Sequence, residues 1–403
     1  MAPSGKDRRG LADRRKAQGL SQEALANLLG VERSTVYRWE RGETDPQPSI
    51  RPLIANTLQI SLDDLSELLC ASKIQPNPAD ITPDPVSYNA EILAQENGCD
   101  IDAKFREPID DVYLGRARVQ IRQLLEMEHL FGGERISGVA LDSAQSFERK
   151  ISASPIVRGM ERDVFATAAE FFEVAGWFLV DTARHSKIRE VNSRALHYCG
   201  LSGDRSMEIF VIQNMSMHAS ESDRPSEALN LARGILDRQV SPRIEALFLA
   251  REARALAARG EESAIRSFAA AQSCFSAGVR NSDPSWSWWV DDTEFLIQES
   301  LMYADLQEWE RAAEILGGHV DSASIDSPYF YFCLAHLARI QTGMQAWEDA
   351  ETTSTKILGA IEDISSSRIK GIIQRYTRQI IGSDLASVSA KDAAHALRLA
   401  VSN

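Results

Sequence analysis

A chain of 403 residues that is 44% hydrophobic and 25% charged carries enough apolar side chains for two or three packed domains, which excludes a disordered or fibrous protein. No run approaches the roughly 20 apolar residues of a membrane span, and the charged N-terminus lacks the apolar core of a secretion signal. The net charge of −14 is unevenly spread: residues 1–41 hold nine Lys/Arg against five Asp/Glu, or +4, while the remainder holds 35 against 53, or −18. Only this basic head is suited to approach a polyanion, and the acidic body discourages non-specific wrapping. The five cysteines, at 70, 99, 199, 274 and 333, are far apart and form no Cys-x-x-Cys pair. They read as reduced thiols of a cytoplasmic protein, not as a disulfide frame or a zinc site.

In chain order, SQEALANLLG (Ser21 to Gly30) predicts a short helix N-capped by Ser21 and ended by Gly30. The next helix runs from Arg33 to Arg41. On a helical wheel Arg33, Ser34, Tyr37, Arg38 and Arg41 cover one arc, and Val36 and Trp39 point the opposite way. Gly42 and the Asp45-Pro46 step stop it. Two short helices joined by a tight Gly-containing turn have the helix-turn-helix layout, whose second helix fits the major groove. Further helices are predicted over residues 50–58, after a Ser49 cap, and over 62–69, where Ser61 and Asp64 are spaced as a capping box.

The segment LADRRKAQGLSQEALANLLGVERSTVYRWERGETDPQP resembles the DNA-binding domain of the Cro and phage-repressor family, also called the XRE family. The likeness covers about the first 70 residues and is carried by Ser-Gln-Glu at the start of one helix and Trp-Glu-Arg-Gly at the end of the next. It implies a five-helix DNA-binding domain over residues 1–70. Arg33, Ser34 and Arg38 would contact base edges, with Tyr37 and Arg41 on the same arc, and Gln22 and Thr35 would fix the helices on phosphate. It also implies a structural ion pair between Arg15 and Glu40. Glu32 and Arg33 depart from the family pattern, so the base preference is not inherited. One head covers a half-site, so the implied partner is a palindromic duplex operator, bound by a homodimer.

Residues 71–108 contain five prolines, at 76, 78, 83, 85 and 108, and read as a linker, with a short helix predicted around 89–97. From 109 to 383 the apolar pattern is helical throughout, with no period-2 stretch. A small residue recurs at the packing point of each second helix: Ala228, Ala264, Ala312 and Ala350, separated by 36, 48 and 38 residues. Trp309 and Trp347 each precede their alanine by three positions. An earlier pair runs from Glu170 to His185 and on to Ala195 and Leu196. These intervals lie near the roughly 34-residue tetratricopeptide period and predict an all-α chain: the small head, then an α-solenoid of about five hairpins. Residues 384–403 form a tail or capping helix.

MEHLFGG, EVAGWFLVDTARH, the Met215 to His218 run and SWSWWVDDTEF add a second resemblance over roughly residues 118–345. It is to actinobacterial-type regulators that join an XRE head to tetratricopeptide-like repeats. This implies a one-component regulator of specialised metabolism, development or stress, whose repeats sense or recruit something.

No phosphate-cradling loop, His-Glu-x-x-His or Gly-x-Ser-x-Gly is present, so neither catalysis nor a cofactor is expected. Asp291, Asp292 and Glu294 read as an exposed acidic face, not a metal site. His185, His197 and His218 are expected on separate helices, apart from one another. Trp286, Trp288 and Trp289 are predicted at the start of a long helix, bracing an irregular repeat or lining a groove. Gln213, Met217, Trp288 and Trp289 are the groove candidates, taken as first-helix residues with apolar area and a polar handle. Two readings of the body stay open: a receiver for a small molecule or peptide, or a scaffold for protein interaction and dimerisation. A polar-lined cavity would favour the first and a broad apolar patch the second.

Overall fold

The computed structural model describes residues 9–18, 20–29, 31, 33–40, 46, 50–58, 60, 65 and 68–69, and then 107–402 except 183, 281, 324–328, 362, 363 and 365. Among the described residues every regular element is helical, apart from one isolated bridge between Ile109 and Ile156. None of these helices is long and apolar enough to cross a membrane. The chain divides into two compact units, Met1–Pro83 and Asp84–Asn403.

The first unit contains α1 (Arg9–Ala17), α2 (Gln22–Leu29), α3 (Arg33–Glu40) and α4 (Arg51–Leu58). Ser21 caps α2 by accepting the Ala24 amide at 3.0 Å. The apolar positions of each helix meet in one core of Leu11, Leu25, Leu29, Val36, Trp39, Ile54 and Leu58, with Leu65 beneath them. Leu65, Leu68 and Leu69 are helical, where the fifth helix is predicted. Its capping residues Ser61 and Asp64, the stops at Gly30, Gly42 and Asp45, the Ser49 cap, Cys70 and Cys99, and linker residues 71–106 with the 89–97 helix all lie outside the described residues.

The second unit is a stack of antiparallel hairpins. In chain order they are α5 (Asp111–Phe131) with α6 (Gly133–Ala153), α7 (Glu161–Val180) with α8 (His185–Ser202), and α9 (Arg205–Glu221) with α10 (Pro225–Leu236). Then come α11 (Pro242–Ala258) with α12 (Ser263–Phe275), α13 (Asp292–Asp305) with α14 (Trp309–Ser322), α15 (Phe330–Gly343) with α16 (Trp347–Gly359), and α17 (Ser367–Gly382) with α18 (Val388–Ser402). The pairs number seven where the periodicity predicts about five, because the first and last lack the alanine marker.

Four of the hairpins turn the same way. Asp223, Gly260, Gln307 and Gln345 adopt φ of 56°, 72°, 64° and 61°. The amide of the following residue then bonds a carbonyl five positions back: Arg224 to Ala219, Glu261 to Leu256, Glu308 to Tyr303 and Ala346 to Gln341, at 2.9–3.0 Å. This is the Schellman closure, which satisfies carbonyls left open at a helix end. A few residues later Ala228, Ala264, Ala312 and Ala350 are fully buried, where a larger side chain would hold the two helices apart. Twice the contact is sealed by a serine on the first helix, Ser216 donating to the Ala228 carbonyl and Ser300 to that of Ala312. Trp309 lies flat on the next hairpin at Gly343, where a Cβ would come within 2.7 Å of its ring.

The last hairpin also bonds the first ones. Ser366 Oγ donates to Asp181 Oδ1 at 2.7 Å, the Ser367 amide reaches the Asp181 carbonyl at 2.9 Å, and Ser367 Oγ donates to Glu134 Oε2 at 2.8 Å. Arg368 pairs with Glu221 at the end of α9. The row of first helices thus curls until the start of α17 meets the ends of α7 and α9.

Candidate nucleic-acid interface and the interior of the helical body

On α3, Val36 and Trp39 are buried and Tyr37 is 45% exposed, so the apolar arc faces the core and the opposite arc faces outward. Thr35 is half-buried at the edge. Arg33, Ser34 and Arg38 have helical backbone on the same helix; their side chains, and Arg41 altogether, lie outside the described residues. Glu40, at the end of α3, accepts Arg15 Nε on Oε1 at 2.5 Å and Arg15 Nη2 on Oε2 at 3.2 Å. Gln22 Nε2 donates to the same Oε2 at 2.6 Å, and Arg15 Nη1 bonds the Leu20 carbonyl at 2.6 Å. Both members of the ion pair are buried. One carboxylate therefore ties α1 and α2 to the end of α3 and fixes the direction in which its outer arc points. Bidentate, desolvated contacts of this kind are the strong ones.

The body holds a polar ribbon along its first helices. Asn214 Nδ2 donates to Glu173 Oε1 at 2.9 Å, and Gln213 bonds Asn214. Arg251 donates to Gln213 Oε1 at 3.2 Å and pairs with Glu294 at 3.0 Å. Gln298 bonds Glu294 at 3.1 Å and accepts from Arg254 at 3.2 Å. Arg254 pairs with Asp305 at 2.9 Å, and Arg339 faces the same carboxylate at 3.8 Å. Five consecutive first helices, α7, α9, α11, α13 and α15, are thereby joined by side chains alone. Burial, with Glu170 nearby, pushes the Glu173 carboxyl up to about 8, against the pull of the Asn214 bond. Glu173 is therefore predominantly protonated at neutral pH.

Of the groove candidates, Gln213 is buried within this ribbon and Met217 is half-buried further along α9. Trp288 and Trp289 are not on a first helix. Residues Ser285–Trp289 form a separate 3₁₀ turn, and α13 begins only where Asp291 Oδ1 caps the Glu294 amide at 2.9 Å. At three residues per revolution Trp286 and Trp289 fall on one side, where their rings stack at 6.4 Å, and Trp288 turns away from them. Trp286 stacks on Phe210 at 4.7 Å and donates to Ser206, Trp289 packs against the core, and Trp288 is 48% exposed. In the acidic triplet, Asp291 is a cap and Glu294 an ion-pair partner, while Asp292 is exposed.

Two histidines expected to be apart are in contact. His185 Nδ1 lies 3.0 Å from His218 Nε2, with Ser222 Oγ 3.4 and 3.2 Å from the same atoms. Arg224 Nη2 stands 3.4 Å from His218 Nδ1. A guanidinium only donates, so Nδ1 accepts and the Nε2 proton points at His185. Burial lowers His218 to about 4, which keeps it neutral. The pair joins α8 to the end of α9, 33 residues on, a distance that sequence spacing does not reveal. Cys199 and Cys333 are buried thiols pushed up to about 12, unreactive as nucleophiles.

Sequence reasoning passed over the ribbon arginines. Their signal is in the chain: Arg251 and Arg254 stand three apart within LFLAREARALAA, a helix otherwise too apolar to be solvated there.

A family model described as helix-turn-helix matches residues 11–65, the span from the start of the head core to Leu65. No curated protein and no solved structure matches the chain. The N-terminal unit is thus a DNA-binding helix-turn-helix of the XRE type, as found in transcription regulators.

Proposed function

We propose that this chain is a one-component, sequence-specific transcriptional regulator, acting in the cytoplasm without catalysis or cofactor, whose tetratricopeptide-like body senses a small molecule or peptide. The observation that carries the reading is the matched head, with the end of α3 locked to α1 and α2 through Glu40. Arg33, Ser34 and Arg38 read base edges, Tyr37 and Arg41 extend that surface, and Gln22 and Thr35 position the helices on phosphate. Gln22 shares its amide with Glu40, which holds it in place at the start of α2. Two heads on a homodimer, about one helical turn or 34 Å apart, read a palindromic operator. Residues 1–70 act as the head, 71–108 as the linker, 109–383 as the receiver and 384–403 as its cap.

The hydrogen-bonded interior supports a receiver over a scaffold, because recognition of a polar ligand needs polar groups in enclosed positions. Leu385, Val388 and Leu399, each at least 67% exposed on the last hairpin, support the second reading, in which the body docks a partner or a second copy. Mapping the genomic sites that the protein occupies, then footprinting with Arg38→Ala, tests the first part. A guanine contact is worth roughly 1–3 kcal/mol, so the variant should lose about 5- to 150-fold in selectivity. Unchanged selectivity would remove Arg38 from base reading. Thermal shift with lysate extracts, and operator binding with any hit, tests the sensing part; no stabilisation by any extract would leave the scaffold.

A further inference from the structure

The outer face of the last hairpin is out of keeping with its place in the stack. A terminal repeat ordinarily turns a polar face outward, because no neighbour covers it. Of the large apolar side chains described, four are at least 67% exposed, and three of them, Leu385, Val388 and Leu399, lie on α18 or in the turn before it. The helix beneath them is firmly seated. Ala390, Ala394, Leu397 and Val401 are buried on its inner side, and Ser389 Oγ donates to Glu351 on α16. What lies under α18 thus fixes which of its residues point outward.

Val388, Asp392, His395 and Leu399 are all exposed and follow one another at intervals of four, three and four residues. That alternation sets them in one line down α18, opposite the buried alanines. It is also the spacing of the seam along which two helices pack at a crossing angle of about 20°. Leu385 continues the line three positions before Val388. The seam has apolar ends and a polar middle, an acid and then an imidazole. A second copy running in the opposite direction, about a two-fold axis midway between positions 393 and 394, complements it throughout. Val388 then meets the partner's Leu399 and Asp392 meets the partner's His395, and the symmetry repeats both contacts. An imidazole N–H donates to a carboxylate, so each polar residue of the seam gains a complement. A parallel pair would instead set Asp392 against its own copy, where like charges repel.

We propose that the outer face of α18 is the dimerisation surface of this protein, binding the same face of a second copy in antiparallel register. The inference rests on the homodimer reading and adds to it where the two copies meet. At 1.5 Å per residue the seam from Val388 to Leu399 is about 16 Å long. A contact of that length belongs with the small, reversible interfaces that bury less than about 1,200 Å² in total. The dimer is accordingly a weak one, with a micromolar dissociation constant. A palindromic operator that seats two heads raises the local concentration of the two bodies and drives them together.

The test is sedimentation equilibrium of the full-length protein over roughly 1–100 µM, a range that brackets such a dimer. Wild type should pass from monomer to dimer within it. Leu399→Glu places a charge at both apolar ends and should weaken association at least about tenfold. His395→Asp, which sets acid against acid, should weaken it to a similar extent. Adding Asp392→His to that variant exchanges the two residues and should restore the dimer, a recovery that an unfolded helix could not show. Fluorescently labelled wild type, dilute enough to be monomeric, should dimerise when titrated with wild type and stay monomeric when titrated with the exchanged variant. A monomer throughout the range, association that Leu399→Glu leaves unchanged, no recovery on exchange, or an exchanged variant that pairs with wild type overturns the proposal. Counting copies on operator DNA separates the inference from the reading beneath it. Two copies per operator with α18 variants that associate normally sink this inference alone, and one copy per operator sinks the homodimer reading.

Discussion

Glu40 is one carboxylate shared by Arg15 and Gln22, and its removal would leave a buried guanidinium with only the Leu20 carbonyl. Breaking one side of a buried pair typically costs about 3–5 kcal/mol, against about 0–1 for a solvated one. Glu40→Ala should therefore lower the head's calorimetric transition by about that larger amount and leave the body's transition in place. Adding Arg15→Ala should cost little more, because the partner is already lost. A head transition within about 0.5 kcal/mol of wild type would mean that water screens the pair. Glu173 gives a pH dependence. Its folded pKa of about 8 lies above the ordinary 4.5, so the folded state binds the extra proton between those values. Stability from this group is full at low pH and falls as pH rises through 8. Glu173→Gln keeps the amide oxygen for Asn214 and should gain on wild type steadily from pH 5 to 8.5 in denaturant titrations; parallel curves would place the carboxyl's ionisation elsewhere. At this scale the sequence was legible where a motif names the residue. Arg15 and Glu40 come with the family resemblance, whereas Gln22 as their third partner, the His185–His218 contact and the Arg368–Glu221 pair depend on helices meeting across 18 to 147 residues. No local pattern encodes such meetings.

The hairpin turn is the unit that repeats. Its alanine marker was readable, because only a small side chain fits at the crossing and such a constraint stays visible in spacing. The turn itself was not, since only Gly260 of the four left-handed positions is glycine, and Asp223, Gln307 and Gln345 give no such flag. The 48-residue interval is explained by the segment between α12 and α13, which inserts the 3₁₀ tryptophan turn into an otherwise regular step. A non-glycine residue in the left-handed region costs about 1–2 kcal/mol, part of which glycine returns as chain entropy in the unfolded state. Gln345→Gly should accordingly raise the body's stability by about 0.5–1 kcal/mol in urea unfolding; a loss would show that the Gln345 side chain contributes what its backbone gives up. Gly343→Ala acts in the other direction. Its methyl would press into a flat, confined ring, and overpacking of this sort costs about 1–3 kcal/mol. Trp309→Leu in the same background should recover part of that loss if the ring is the obstacle.

Across the whole helical body, the bonds from Ser366, Ser367 and Arg368 back to Glu134, Asp181 and Glu221 distinguish it from an open stack. In an open solenoid each repeat touches only its neighbours and the ends fray first. Here both ends are tied to each other, so amide exchange in α17 should be as slow as in α7. Removing residues 366–403 should speed exchange around 134 and 181 as well as at the cut; protection unchanged there would show that the closing bonds carry no stability. The closure also sets an order in time. The hydroxyls that meet Asp181 and Glu134 lie 185 and 233 residues further along the chain. At synthesis rates of about 5–20 residues per second, the early hairpins wait roughly 10–50 s for the partners that complete them. During that interval the nascent body is an open coil of helices whose interior polar groups face water, and its two ends are joined only when its final hairpin leaves the ribosome.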